Sequence, residues 1–400
     1  MSKLIFVKEQ GLPEQRCAIL PQNVKSYIRL GAKIAVESGI GASIFIEDQE
    51  YVDAGATVFS GEKSEMQLAF SDADAILSVA MLDETKLPLL NPDVTTISFF
   101  DPFKHNKRVN EYISHKVSSV SMEMIPRSSR CQKMDALSSQ ASLAGYVMAL
   151  QAMSALNKSL PMMMTPAGTL KPAKVFVIGA GVAGLQAIAT FKRMGANVIA
   201  YDTRPEVSQQ VESLGAKFLN IDLGETGSTE QGYAKALTSE QLAKQQSAQA
   251  TCIADSDIVV TTAQLFGRTP PVLIKNDVLS QMKPGSVVVD MAAQDGGNVE
   301  ASVANQTIMY GGIKIIGTGD WASQVGRDAS QMYANNLQAL IEDIWSEEDK
   351  CLKVDEQDEV LAQALITHKG QLINPIIKSQ YSAKEDLPKQ TLHEQSKEHA

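Results

Sequence analysis

Over the first 125 positions, apolar residues come in short β-branched runs separated by stretches of helical spacing. LIFV (4–7), KIAVES (33–38) and SIFIED (43–48) read as strands, with a helix from Pro21 to Gly31 between the first two. ADAILSV (73–79), VTTISFF (94–100) and VSSVSME (117–123) continue the rhythm. Strands alternating with helices imply βαβ units and a parallel sheet. From Ser128 to Leu156 the pattern changes to one long helix, in which Leu143, Val147, Leu150 and Met153 recur at three- and four-residue spacing. After a breaker cluster from Pro161 to Pro172, six more strand candidates begin at residues 174, 197, 216, 257, 286 and 314, enough for a second sheet. Helical periodicity returns from Gln331 to Glu347, and the stretch after Gly319 is expected to cross back to the first lobe. Residues 379–400 are polar, with no apolar face to bury, and read as a disordered or partner-facing tail.

Two such blocks joined by a helix predict an α/β protein of two Rossmann-like, doubly wound parallel-sheet domains separated by a cleft. The boundaries fall at 1–135 plus about 325–378 for a discontinuous N-terminal domain, and at 136–324 for the second. Length agrees, since 400 residues exceed what one hydrophobic core organises. The net charge of −10 argues against a nucleic-acid surface and against simple docking to anionic lipid. Cys17, Cys131, Cys252 and Cys351 stand singly, without the spacing of a zinc site or a disulfide framework, which predicts no metal and fits a reducing cytoplasm. The opening apolar run is too short for a signal-peptide core. The most apolar long stretch, Ala141 to Leu156, falls short of the roughly 20 residues that span a bilayer and reads as a buried helix.

The sharpest local signal is Gly179-Ala180-Gly181-Val182-Ala183-Gly184, directly after the strand run KVFVI and directly before LQAIATFKRMG. In such a turn the first glycine permits the bend, the second lets the backbone approach a pyrophosphate, and the third lets helix pack on strand. The phosphates then sit on unpaired N–H groups at the helix N-terminus. The next strand ends in Asp202, 18 residues beyond Gly184, where a carboxylate accepts from the adenosine ribose hydroxyls. An acid there favours NAD over NADP because it repels a 2′-phosphate; Arg204, one residue past Thr203, offers that phosphate a partner and pulls the other way. Ala263, Gln264 and Leu265 follow a later strand at its carboxyl end and read either as adenosine neighbours or as an ordinary strand end.

A second concentration of polar groups, PRSSRCQKMDALSSQASLAGY (126–146), lies at the expected lobe junction. Arg127, Gln132, Asp135 and Ser138 supply donors and acceptors suited to a carboxamide and a ribose. Ser128 or Ser129 with Gln132 also suits a helix-capping box. This segment, with VFVIGAGVAGLQAIATFKRMGANVIAYDTRPEVSQQVESLGAKF (175–218), closely resembles the NAD(H)-binding component of proton-translocating transhydrogenases. The likeness extends over nearly all of residues 1–375, and the opening VKEQGLPEQRCAILPQNVKSYIRLGAKIAVESG is shared in style with alanine dehydrogenases. The resemblance implies that Arg127, Gln132 and Asp135, with Ser138 close by, form a loop holding the nicotinamide, and that Asp202 and Arg204 flank the adenosine ribose. It also implies a mobile lid, matched by residues 222–246, with Gly232 beside Tyr233 as the closing aromatic. On composition alone the same insertion is simply a long loop.

The activity implied is direct hydride transfer between NAD(H) held on this chain and NADP(H) on a partner domain, coupled in the complex to proton translocation. The implied partners are a second copy in a homodimer, an NADP-binding beta subunit and a membrane proton-channel subunit, with no nucleic acid. The implied location is peripheral, on the cytoplasmic side of the inner (plasma) membrane, with the isolated subunit water-soluble. Two alternatives stand beside it. An alanine-dehydrogenase-like amino-acid oxidoreductase needs a proton shuttle. Ser78 and Ala80 stand where that family has lysines, Phe100 where it has a histidine and Gln294 where it has an aspartate, which leaves Lys86, Lys104, His105 and Asp295 as substitutes. The other alternative is a non-catalytic NAD-binding protein that uses the same sheet without chemistry.

Overall fold

The computed structural model describes residues 2–10, 14–224 and 237–385. In chain order, β1 (Lys3–Phe6), β2 (Lys33–Glu37), β3 (Thr57–Phe59), β4 (Ala75–Ala80), β5 (Thr95–Phe99) and β6 (Ser118–Ser121) build the parallel part of one sheet. A separate antiparallel hairpin follows, β7 (Met163–Thr165) and β8 (Gly168–Leu170). The second sheet holds β9 (Lys174–Ile178), β10 (Asn197–Tyr201), β11 (Lys217–Phe218), β12 (Ile258–Thr261), β13 (Val287–Asp290), β14 (Gln306–Tyr310) and β15 (Ile313–Gly317). After a short pair, β16 (Trp345–Ser346) and β17 (Cys351–Leu352), the chain returns to the first sheet as β18 (Leu365–His368) and β19 (Gln371–Leu372).

Both parallel cores have the same order. The first runs β3-β2-β1-β4-β5-β6, with β18 and β19 added antiparallel beyond β6; the second runs β11-β10-β9-β12-β13-β15, with β14 antiparallel at its edge. Each is the doubly wound order 3-2-1-4-5-6, whose switch point lies between the first and fourth strands, at β1/β4 and β9/β12. Central strands are covered on both faces: Leu4 and Phe6 belong to one core and Ile5 and Val7 to another, while Val175 and Val177 are separated in the same way from Phe176 and Ile178. That is why these strands read as unbroken apolar runs rather than alternating ones.

Two helices cross between the lobes. The long helix Ala136–Ala155 begins with Ala136 in the core of the first sheet and has Ala144, Val147, Met148, Ala149 and Ala152 in that of the second. The return helix Gly326–Asp343 packs Tyr333, Ala334, Leu337, Leu340 and Ile341 against the first sheet. Among the described residues no helix is long and apolar enough to cross a membrane.

The two-sheet α/β architecture is the one expected, with several local differences. SIFIED is not a strand: Ala42–Ile44 form a 3-10 turn and Phe45 is left-handed at φ 61°. Buried Ile44 and Ile46 flank exposed Phe45, so the burial alternates as in a strand, but Ile46 N–H bonds back to Gly41 C=O and closes a turn. The long helix starts at Ala136 rather than Ser128, after a 3-10 turn over Gln132–Met134. The capping box at Ser128 does not form; Ser128 Oγ bonds Cys131 Sγ, and Asp135 is the cap. Within the 222–246 stretch, Gly232 and Tyr233 lie outside the described residues, and from Ser239 the chain is already helix, with Thr238 Oγ1 accepting from Gln241 N–H. The stretch read as a polar tail opens in helix Pro375–Glu385, tied down by Tyr381 Oη donating to Pro102 C=O at 2.7 Å; residues 386–400 lie outside the described residues.

Candidate dinucleotide site

The glycine turn sits at the carboxyl end of β9, at the switch point of the second sheet. Gly179 adopts φ 98°, and a Cβ there would strike Thr262 Oγ1 on the adjoining strand end. A Cβ on Gly184 would strike the Gly179 carbonyl, so helix Val182–Arg193 presses directly on the strand end. Gly181 differs: the nearest atom to a Cβ there is Arg204 Nη2 at 3.9 Å. The helix has no side-chain cap at Gly181, which leaves its first N–H groups for an anion. Ala180 and Ala183 are buried beneath the turn, and Val182 is exposed on it.

Asp202, at the end of β10, bonds directly to this turn. Its Oδ2 accepts Ala180 N–H at 2.8 Å and Arg204 Nη2 at 2.8 Å, while Oδ1 accepts Arg204 N–H and Nε, both at 2.9 Å. The carboxylate is 9% exposed, so its charge lies beside an arginine rather than water. The side chains of Tyr201, Asp202, Thr203 and Phe218 line a cavity of about 270 Å³ that continues to Gly224. Across the switch point, Thr262 Oγ1 donates to Gly179 C=O at 3.0 Å, which sets Ala263 beside the turn. Gln264 is exposed, and its Nε2 donates to Asp295 Oδ2 at 2.7 Å; Leu265 is half-buried.

The other polar group gathers at the start of the long helix. Asp135 Oδ1 accepts Ser138 N–H at 2.8 Å and Oδ2 accepts Ser138 Oγ at 2.6 Å, so these two residues are a unit. Arg127 and Gln132 are exposed on the loop just before them. The base of that loop is fixed by Glu123, whose Oε1 accepts Phe100 N–H at 2.7 Å and Asp101 N–H. Burial pushes the Glu123 carboxyl above its ordinary range, against these backbone bonds. The two polar groups are joined by packing: a Cβ on Gly145 would overlap the Ala183 carbonyl, so the long helix crosses the N-terminus of the phosphate-turn helix at van der Waals contact. Asp135 and Gly145 are ten residues apart, roughly 15 Å along the helix axis. Sequence reading noticed Gly145 only as an interruption of an apolar stretch, and it missed Thr262 and the buried Asp290 and Asn298 behind Ala263.

The groups considered for a proton shuttle are engaged elsewhere. Lys86 is buried with Nζ 2.6 Å from Glu37 Oε2. Lys104 Nζ lies 2.5 Å from Asp295 Oδ1 and 3.0 Å from Asp101 Oδ2, an ion pair that spans the two lobes. Beside it Phe103 meets Phe266 edge to face, with centroids 5.0 Å apart. Ser78 Oγ donates to Ala80 C=O, and Phe100 is buried.

Two doubly wound lobes, a glycine turn at the switch point of one, and a polar loop at the head of the crossing helix define a dinucleotide-binding α/β class. Residues 5–144 match the family described as alanine dehydrogenase/PNT, N-terminal domain, and residues 148–375 match its C-terminal domain. The chain is 37% identical over 385 residues to the first of the separately encoded pieces of NAD(P) transhydrogenase subunit alpha in Rhodospirillum rubrum, covering 94% of this chain and 99% of that protein. A transhydrogenase structure from Sinorhizobium meliloti superposes with TM-score 0.83 at 38% identity, covering 93% of this chain and all of that one. An L-alanine dehydrogenase structure superposes with TM-score 0.79 at 21% identity over 95% and 99% of the two chains, a likeness of fold. The chain belongs to the alanine dehydrogenase/PNT family, on the side of the NAD(P) transhydrogenase alpha subunits.

Proposed function

We propose that this chain holds NAD(H) and presents its nicotinamide for direct hydride exchange with NADP(H) on a partner domain of a proton-translocating transhydrogenase. The observation that carries the reading is the uncapped, glycine-lined helix N-terminus bonded through Ala180 N–H to the buried Asp202 carboxylate. The backbone around Gly181, Val182 and Ala183 would take the pyrophosphate, and Asp202 with Thr203 the adenosine ribose. Arg204 is already paired with Asp202, so its charge is compensated before any 2′-phosphate arrives, which favours NAD. Ala263, Gln264 and Leu265 would flank the adenosine side.

The nucleotides themselves supply the chemistry: a hydride leaves C4 of one nicotinamide and joins C4 of the other, and no proton enters or leaves. The protein's task is therefore alignment and exclusion of water. Arg127 and Gln132 would fix the carboxamide and the ring plane. The Asp135–Ser138 unit would hold the ribose side and favour the positive ring over the neutral one. Gly232 and Tyr233 would belong to a lid over the site. An NADP-binding beta subunit, a membrane proton-channel subunit and a second copy of this chain are the expected partners, at the cytoplasmic face of the inner (plasma) membrane.

The test mixes purified chain with a separately expressed NADP-binding partner and follows reduction of an NAD analogue by NADPH. Arg127→Ala, Gln132→Asn and Asp135→Asn are expected to slow transfer by about tenfold or more, with NADH affinity within about threefold of wild type. Asparagine remains a good helix cap, so Asp135→Asn keeps its helix. Equal losses of binding and transfer would contradict the assigned roles, and NADH oxidation with pyruvate and ammonium would favour the amino-acid oxidoreductase.

A further inference from the structure

Behind the crevice lies a fully buried polar network that sequence reading did not single out. Asp290 ends β13, and its side chain gathers the loop that follows: Oδ1 accepts Ala292 N–H at 3.0 Å and Oδ2 accepts Val299 N–H at 3.1 Å. Asn298 N–H reaches both oxygens, at 3.2 and 3.0 Å, and Thr261 Oγ1 adds a longer bond at 3.3 Å. The Asn298 side chain then turns to the neighbouring strand end. Its Oδ1 accepts Ala263 N–H at 3.1 Å, while Nδ2 donates to Ala263 C=O at 3.1 Å and to Pro271 C=O at 2.9 Å. The side-chain amide thus pairs with one peptide as a neighbouring strand would, using its acceptor and both donors. Asp290 and Asn298 have no exposed surface, as buried groups of this cost require when every bond is made.

The arrangement is more specific than packing demands. Three loops at the carboxyl edge, 261–265, 270–274 and 290–299, meet on Asn298, whose own carbonyl accepts Leu273 and Ile274 N–H. Only the first of these touches the glycine turn, through Thr262 Oγ1 on Gly179 C=O. The peptide Asn298 clamps on both its polar atoms is the next one along. Aspartate at 290 is required in its ionised form, since both oxygens accept backbone N–H and an amide in its place would set N–H against N–H.

We infer that Asn298, held by Asp290, is a positioning residue for the dinucleotide: it fixes the Ala263 peptide so that residues 263–265 present a preformed wall to the adenosine half of the ligand. This rests on the proposed NAD(H) site. Since the adenosine half does not react, its wall governs binding and leaves the transfer step at saturation unchanged.

Asn298→Ala and Asn298→Asp are compared with wild type by NADH fluorescence and by 5′-AMP titration at 10 °C, with circular dichroism to monitor folding. Weakening of both NADH and 5′-AMP by about 10- to 100-fold is expected, with kcat at saturating NADH within about twofold. Folded variants with unchanged affinities, or a fall in kcat with binding intact, would overturn the inference. If both variants unfold, hydrogen exchange in the wild type decides: slower exchange at Ala263 and Asn298 on adding 5′-AMP supports it, and no change refutes it. A wild type that binds neither NADH nor 5′-AMP removes the NAD(H) reading itself, a different failure from normal binding by the variants.

Discussion

At Asp202 one carboxylate has four donors, from Ala180, the Arg204 backbone and the Arg204 guanidinium. The residue was legible because its role follows from local spacing after a glycine turn. What spacing did not reveal is that Arg204, a candidate 2′-phosphate partner, is spent on Asp202 itself. Thr262 was illegible for the opposite reason, since its partner Gly179 is 83 residues away. Glu9 shows how a single buried group colours the whole chain. Its oxygens accept Val79 N–H at 2.6 Å and Ala80 N–H at 3.2 Å, yet burial outweighs these bonds and pushes its pKa up to about 7. An acid whose folded pKa lies above its unfolded value of 4.5 contributes stability that is full below pH 4.5 and lost as pH rises through about 7. The loss is up to about 3 kcal/mol. Urea unfolding at pH 5 and pH 8 should therefore show a smaller pH-dependent fall in Glu9→Gln than in wild type; identical falls would contradict the assignment.

Among the elements, the crossing at Gly145 matters most. Ten residues of helix separate the Asp135 cap from the point where the helix lies on the Ala183 carbonyl, so the crossing sets how far the polar loop stands from the glycine turn. Gly145→Ala forces the two helices apart. A destabilisation of about 1–3 kcal/mol is expected in urea unfolding, with weaker NADH binding in the folded fraction. Unchanged stability and affinity would show that the contact does not set the spacing. The strands β1, β4, β9, β12 and β13 were readable because burial on both faces makes them continuous apolar runs. Edge elements were not. β14 carries an exposed Met309, and β7 and β8 expose Met163, Met164 and Leu170 inside a cluster that looked like a chain break around Pro166. SIFIED imitated a strand because one turn buried alternate residues.

For the molecule as a whole, two sheets of identical strand order face each other across crossing helices, and the lobes also meet through Lys104–Asp295 and Phe103–Phe266. The two-lobe plan was visible in the repeated rhythm of strands. The bridging pair was not, because its members are 191 residues apart and each looked like a candidate for other chemistry. With Lys86 and Lys104 both ion-paired, the chain's resources go into holding a ligand rather than moving a proton. The most direct test follows the hydrogen itself. The chain and an NADP-binding partner are incubated with NAD and NADPH deuterated at the transferable C4 position, and separately with unlabelled NADPH in deuterated water. Direct transfer predicts deuterium at C4 of the NADH formed in the first case and none in the second; loss of the label to water, or its uptake from solvent, would contradict the account.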